Sequence, residues 1–269
     1  NCARFLDYVP KEELLGMLPS LDRVEAIFHQ GACSDTTESD GRYMMQNNYQ
    51  FSKQLLHFAE QRGAKLIYAS SAAVYGDAEN GFREQPACEY PLNVYGFSKL
   101  AFDNYVRARV VHSPIQAVGL RYFNVYGPQE RHKGRMASVA MHLFDQLVAG
   151  QKMRLFEGSA DFKRDFLHVD DAVAVNLYFL HNPQRGIFNC GSGTAQSFED
   201  IARNLRELHG SGEIEHIPFP ADLAGKYQRF TQADLSQLRA AGCAHSFLSL
   251  QEGLTDYYRA LRGAGGYRR

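Results

Sequence analysis

The amino-acid sequence predicts an α/β protein: a doubly wound parallel sheet with helices on both faces, and a smaller α/β lobe interleaved with it. Two observations carry that reading. Short apolar runs alternate with longer stretches whose apolar residues recur at helical spacing, the order that builds right-handed strand–helix–strand crossovers. The apolar runs also stop on Gly, Ser or Pro, residues that end a strand and open a loop.

In chain order, VEAIFHQGA (24–32) reads as a buried strand ending near Gly31. YMMQNNYQFSKQLLHFAEQRG (43–63) is a helix closed by Gly63 as its C-cap. KLIYASSA (65–72) is a second strand, YGFSKLAFDNYVRARVV (95–111) a second helix, and IQAVGLRYFNVYGP (115–128) a third strand stopped by Gly127 and Pro128. From 129 to 173 the texture loosens into one helix among charged, glycine-containing loops. A helix from about 172 and a strand GIFNCGSG (186–193) return to the sheet, and the remainder reads as the smaller lobe. There is no internal repeat and no low-complexity linker.

The 269 residues, 45% of them hydrophobic, suffice for a substantial core. A net charge of −1 gives no basic surface for nucleic acid or anionic lipid, so the expected partners are small molecules or other subunits. Five scattered cysteines (Cys2, Cys33, Cys88, Cys190, Cys243) contain no CxxC pair. They fit reduced thiols in a cytoplasmic protein, and neither a disulfide scaffold nor a metal site is expected. No apolar run reaches the roughly 18 residues a membrane span needs, and NCARFLDYVP has neither part of a secretion signal. The chain begins with Asn rather than Met, so this need not be its natural start.

In open α/β sheets, ligands bind beyond the carboxyl ends of the strands. Gly31 and Cys33, then Ser70 and Ser71, then Asn124 and Tyr126 follow three successive predicted strands and point to one crevice. PLNVYGFSK places Tyr95 four residues before Lys99, on one helix face. An ammonium beside a phenol favours the phenolate and should lower its pKa. With a serine hydroxyl holding the substrate, such a tyrosine moves an alcohol proton while a nicotinamide takes the hydride. With 15 tyrosines in the chain the pair alone is weak, but it follows a strand ending in SSAAVYG and opens a helix, which favours catalysis. Tyr75, Tyr122 and Tyr126 read as cleft wall.

YASSAAVYG, PLNVYGFSK, LRYFNVYGP and RDFLHVDDAV together resemble the extended short-chain dehydrogenase/reductase superfamily, Rossmann-like enzymes of sugar nucleotides. More narrowly, FHQGACSDTTESDGRYMMQNNYQ, YFNVYGPQERHKGRMASVAMH, LFEGSADFKRDF and GKYQRFTQADLSQLRAAG resemble the ADP-L-glycero-D-manno-heptose 6-epimerase family, from about Lys11 to the C-terminus. The resemblance implies an NADP-dependent isomerase (NAD is the alternative) of lipopolysaccharide core synthesis, cytoplasmic and homo-oligomeric, with pentamers typical of the family. It implies a dinucleotide-binding domain over 1–125, about 170–195 and 233–247, and a substrate domain over about 126–169, 196–232 and 248–269.

The resemblance also implies roles. Tyr95 and Lys133 would be the two acid/base groups, Ser71 would orient the substrate, and Lys99 would support the phenolate and hold the nicotinamide ribose. Lys11, Gln30, Gly31, Ala32, Cys33, Ser34, Asn47 and Val125 would contact the cofactor. Asn124, Arg135, His142, Arg164 and Tyr227 would hold the nucleotide-sugar, with Phe156, Glu157, Gly158 and Ser159 along its adenosine-diphosphate end. The family commonly has Ser at the position of Arg135 and Glu at that of Gln30. Taken as residues alone, Lys133 is a solvated lysine among Arg131, His132 and Arg135. Arg164 is either a diphosphate fork or an ion-pair partner of Asp165 or Asp170. His142 and Tyr227 are as readily packing residues.

A dinucleotide fold carries a glycine-rich phosphate turn after its first strand. No G-x-x-G-x-x-G occurs here, and the strand at Val24 resembles the family's fourth. The expectation is a fragment that lacks the opening strands, with exposed apolar edges, poor solubility and weak cofactor binding. A truncated gene product and an inactive relative are the alternatives. Among other activities, a 4,6-dehydratase would need an Asp-Glu pair after the serine, where Ala72 and Ala73 stand. A different nucleotide-sugar epimerase, or a non-enzymatic nucleotide-sensing protein on the same fold, remains open.

Overall fold

The sheet runs where the most apolar stretches are. In a computed structural model, which describes residues 5–220 and 228–267, helix α1 (Lys11–Met17) precedes strand β1 (Ala26–His29). Helix α2 (Gly41–Met44) is N-capped by Asp40, whose carboxylate accepts from the Tyr43 N–H. It passes through a π-helical turn, Met45–Gln50, into α3 (Phe51–Arg62), which ends on Gly63 in the left-handed conformation (φ 65°). The helix expected over 43–63 is therefore one rod with a widened turn, and Gly63 is its C-cap as expected.

Strand β2 (Lys65–Ser71) leads to α4 (Val94–Val110), whose first turn is capped by Asn93 accepting from the Gly96 N–H at 2.8 Å. Strand β3 (Ala117–Tyr122) follows, then β4 (Asn124–Tyr126). The run expected as one strand to Pro128 thus divides at Phe123. β3 stays in the main sheet while β4 enters a second one. Helix α5 (Val139–Val148), β5 (Met153–Phe156), β6 (Lys163–His168) and α6 (Val169–His181) come next. Two strands therefore occupy the stretch expected to be mostly loop. The chain finishes with β7 (Gly186–Cys190), β8 (Ala195–Ser197), α7 (Phe198–His209), β9 (Ile214–Ile217), α8 (Ser236–Ala240) and α9 (Leu250–Ala264).

The main sheet has the order β1-β2-β3-β7, all parallel. Leu66, Ile67, Val118 and Leu120 on its central strands are fully buried, as expected for a sheet covered on both faces. α3 and α4 contribute Leu56, Ala59, Phe102 and Val106 to one face, and α6 gives Val175 and Phe179 to the other. A second sheet, β4-β6-β8, and the parallel pair β5-β9 build the other body, whose core joins α5, α7 and α9 through Leu143, Phe144, Leu205 and Leu254. Among the described residues, no helix is long and apolar enough to cross a membrane.

One buried polar cluster ties α4 to the sheet. Arg121 of β3, with no exposed surface, pairs with Asp103 of α4 at 2.9 Å and with Glu89 at 2.6 Å. Asp103 also accepts from the hydroxyls of Tyr68 and Ser70, each at 2.9 Å. Charges so deep are tolerated only when their bonds are nearly complete, so the cluster fixes the helix that carries Tyr95 and Lys99.

Candidate active site

Two crevices meet beyond the carboxyl ends of β1, β2 and β3. The first, about 680 Å³, is lined by Gln30, Ser34, Ser71, Tyr95 and Lys99, with Val125 and α6 on the far side. The second, about 440 Å³, is lined by Asn124, Arg164, Phe166 and Leu254 of the other body. Ser34, Ser71, Tyr95, Phe123, Val125 and Lys133 line both. The side chains with the most chemistry thus stand on the common wall.

Tyr95 opens α4 and Lys99 follows one turn later, its Nζ 5.9 Å from the Tyr95 ring centre. The Lys99 ammonium donates to the Ala69 carbonyl at 2.8 Å. Burial pushes its pKa down to about 8, against the pull of Asp103 in the opposite direction. The expected depression of Tyr95 by this ammonium is not what the geometry gives. Desolvation by the crevice walls raises the phenol above its ordinary value, a hydrogen bond with Ser71 offsets part of that, and Cys33 adds to the rise. In this arrangement Tyr95 is protonated at neutral pH, held as an acid. Ser71 ends β2, its hydroxyl accepting from the Ala73 N–H at 3.2 Å.

The loop 30–34 leaves β1 toward the first crevice. The strand expected to reach Ala32 stops at His29, which frees these residues from the ladder. Gln30 accepts from the Tyr122 hydroxyl at 3.0 Å and donates to Asn176 at 3.2 Å, while Asn176 donates to the same hydroxyl at 2.6 Å. Gly31 has nothing within 4 Å of the place a Cβ would occupy, so its backbone lies open to a ligand. Gly31, Ala32, Cys33, Lys11 and Asn47 share a further cavity on the other side of β1, where the Lys11 ammonium donates to the Asn47 side chain.

Asn48, which no motif singles out, braces that loop. From the π turn its side chain accepts from the Cys33 N–H at 2.8 Å and donates to the Cys33 carbonyl at 2.9 Å and to Ser98 Oγ at 3.1 Å. Ser98 in turn donates to the Tyr95 carbonyl at 2.7 Å. The signal in the sequence is a buried asparagine on the apolar side of a helix, where a polar residue stays only with fixed partners.

Lys133 lies on the 3-10 turn Arg131–Met136, and it reaches the wall common to both crevices. Arg164 lines the second crevice, its guanidinium 5.8 Å from the Phe198 ring centre. Its neighbour Asp165 is engaged elsewhere, accepting from the N–H groups of Ser192, Gly193 and Ala233.

Other expected contacts lie off the two crevices. Arg135 pairs with Asp35, beside Ser34, and does not line either. His142 sits half-buried on α5, away from both linings. Phe156 packs against Phe219, ring centres 5.4 Å apart. Glu157 N–H donates to the Ile217 carbonyl, Gly158 turns the chain at φ 81°, and the buried Ser159 hydroxyl donates to Glu199 at 3.1 Å. This 156–159 turn closes β5 against β9, with Ser159 committed to the interior. Tyr227 lies outside the described residues.

Comparison with known proteins places these features in context. Residues 5–191 match the model of the NAD dependent epimerase/dehydratase family. An ADP-L-glycero-D-manno-heptose-6-epimerase of Brachyspira hyodysenteriae is 55% identical over 274 aligned positions, which span 99% of this chain and 86% of that protein. The crystal structure of the Helicobacter pylori ADP-L-glycero-D-manno-heptose-6-epimerase superposes with a TM-score of 0.84 at 34% identity, over 93% of this chain and 76% of that one. UDP-glucose 4-epimerase of Thermotoga maritima, solved with UDP-glucose, matches at 26% identity and a TM-score of 0.82, over 93% and 81%.

Proposed function

The chain belongs to the NAD dependent epimerase/dehydratase family, and from that premise we propose that it inverts C6 of ADP-glycero-manno-heptose by transient oxidation and re-reduction with NADP. The observation that carries the reading is the common wall, where Ser71, Tyr95 and Lys133 border both crevices. The first crevice suits a nicotinamide dinucleotide: Gln30, Ala32 and Ser34 border it, the buried Lys99 amine offers donors to a ribose, and the open backbone at Gly31 faces the further cavity beside it. Gln30, Ala32, Ser34, Lys99 and Val125 would hold that group in the first crevice, with Gly31, Cys33, Lys11 and Asn47 behind β1. When bound, it supplies a hydride acceptor that can return the hydride.

The substrate heptose occupies the second crevice, with Asn124 and the planar fork of Arg164 toward its polar groups. By the resemblance, its outer end is assigned to Arg135, His142, Tyr227 and residues 156–158. Inversion at a carbon bearing a hydroxyl requires the alcohol proton to leave in one orientation of the sugar and return in the other. Ser71 holds the oxygen at C6. Tyr95, on a rigid helix, serves one orientation, and Lys133, on a loop, serves the other. In the orientation it serves, Tyr95 donates its proton to the ketone oxygen when hydride returns, and as the phenolate, stabilised by Lys99, it accepts the alcohol proton when that epimer is oxidised.

The main-sheet elements with 1–125, about 170–195 and 233–247 form the dinucleotide-binding domain in this reading. The segments about 126–169, 196–232 and 248–269 form the substrate domain. The protein works in the cytoplasm as a homo-oligomer, in lipopolysaccharide core synthesis; the close likeness to the heptose epimerases supports that placing. The test is conversion of ADP-D-glycero-D-manno-heptose in deuterium oxide, followed by NMR. Hydride return gives the C6 epimer with no solvent deuterium at C6. Absence of the epimer, or deuterium at C6, refutes the proposal.

A further inference from the structure

Of the side chains on the common wall, Tyr95 stands on a helix and Ser71 on a strand, but Lys133 stands on the short turn Arg131–Met136. A lysine on a loop has four rotatable bonds and no fixed direction unless something supplies one. Glu130, the residue before the turn, is only 3% exposed. A glutamate three residues from a lysine is ordinarily a solvated partner of little consequence. This one is built into the core.

Both of its carboxylate oxygens are engaged. Oε1 accepts from the Tyr257 hydroxyl at 2.8 Å and the Ser138 hydroxyl at 2.5 Å. Oε2 accepts from the Ser138 N–H at 2.9 Å and lies 3.5 Å from Lys133 Nζ. The Glu130 carbonyl also accepts from the Lys133 N–H at 2.9 Å. Ser138 is the N-cap of α5, and Tyr257 belongs to α9 and is almost completely buried. One carboxylate thus clamps both ends of the turn to the core and presents its remaining face to the amine.

We propose that Glu130 is a positioning residue for epimerisation, holding the 131–136 turn and aiming the Lys133 amine at the wall it shares with Tyr95 and Ser71. The inference rests on the reading of Lys133 as the second acid/base. Its effect is geometric: an acid/base group displaced by about 1 Å loses on the order of 100-fold in rate.

The test uses single-turnover oxidation of each C6 epimer by the cofactor-loaded protein, with Tm and amide exchange over 131–138 as readouts independent of turnover. The epimer whose oxidation fails in Lys133→Ala reports the Lys133 half-reaction. In Glu130→Gln, which keeps the shape but turns the acceptor facing the Ser138 N–H and the Lys133 amine into a donor, that half-reaction falls about 10–100-fold. The Tyr95 half-reaction and both substrate affinities hold within about twofold, and exchange over the turn quickens. Tyr257→Phe, which removes a single donor, gives a smaller loss in the same half-reaction. Equal losses in both half-reactions with a lowered Tm would make Glu130 merely structural and overturn the inference. Unchanged rates in Glu130→Gln with Lys133→Ala impaired would overturn it alone. Should Lys133→Ala spare both epimers, the two-base reading falls and this inference with it.

Discussion

Asn48 grips Cys33 by both backbone polar groups, accepting from its N–H at 2.8 Å and donating to its carbonyl at 2.9 Å. A side-chain amide here does what a neighbouring strand would do, completing the hydrogen bonds of a residue just beyond the end of β1. Through Ser98 the same amide reaches the helix of Tyr95. The loop 30–34 and the helix of Tyr95 are therefore set relative to each other by one residue. Asn48→Ala leaves those backbone groups without partners, at a cost of about 1–3 kcal/mol. Cofactor affinity, measured by fluorescence titration, weakens about tenfold or more. Equal cofactor affinity in Asn48→Ala and the parent would refute the bracing role.

Lys99 is held at a cost to stability. Its pKa is lowered from 10.5 to about 8 because the ammonium is desolvated. A base depressed on folding binds fewer protons folded than unfolded between those values, so its penalty is complete below pH 8 and is relieved as pH rises toward 10.5. The shift corresponds to about 3 kcal/mol at neutral pH. Lys99→Met, similar in length and uncharged, raises stability at pH 7 and loses most activity. Urea unfolding at pH 7 and pH 10 checks this: the advantage of the variant is large at the first pH and shrinks at the second.

His29 gives a transition on the acid side. Burial lowers its pKa from 6.5 to about 4, with Lys99 and Lys11 adding to the effect, and its Nε2 shares a 2.7 Å hydrogen bond with Ser52. The neutral ring is native. The unfolded chain takes up a proton below pH 6.5, so this contribution is intact above that pH and drains away as pH falls through about 4. The expected loss over that window is about 3 kcal/mol. His29→Gln, which keeps a hydrogen-bonding side chain, flattens the acid limb of the Tm–pH curve; an unchanged limb would show that other groups govern it.

The main sheet and the helices that carry Tyr95 and Cys33's brace were legible because their burial follows periodicity. β2 and β3 are mostly buried runs, and Gly63 and the 95–111 pattern mark the neighbouring helices locally. β6 was not legible, for a physical reason. Its buried residues include Arg164 and Asp165, and the partners that make Asp165 tolerable, Ser192, Gly193 and Ala233, lie 27 to 68 residues away in the chain. Asn48 and Glu130 were hidden in the same way, since a buried polar residue has meaning only through partners such as Tyr257, 127 residues beyond Glu130. The proposed acid/base residues were singled out through spacing and resemblance, whereas the desolvation that raises Tyr95 is a property of the assembled crevice walls.

Among the described residues Arg121 is the largest fully buried side chain, and it sits between two carboxylates. Pairing with Asp103 and Glu89 compensates the cost of its burial, and Arg107 shares Glu89 from the helix's outer side. Removing the cation leaves two carboxylates of like charge, Asp103 with no exposure and Glu89 with little, and breaking such a pair costs about 3–5 kcal/mol. Arg121→Met should therefore lower stability by about that amount in denaturant unfolding. Because Asp103 lies one turn beyond Lys99, its release also loosens the helix that carries Tyr95 and Lys99, and activity falls beyond what the unfolded fraction explains. A double variant, Arg121→Met with Asp103→Asn, recovers much of the stability by removing one stranded charge. If the double variant were no more stable than Arg121→Met, the cost would lie in the lost volume of the arginine and not in the carboxylates left behind.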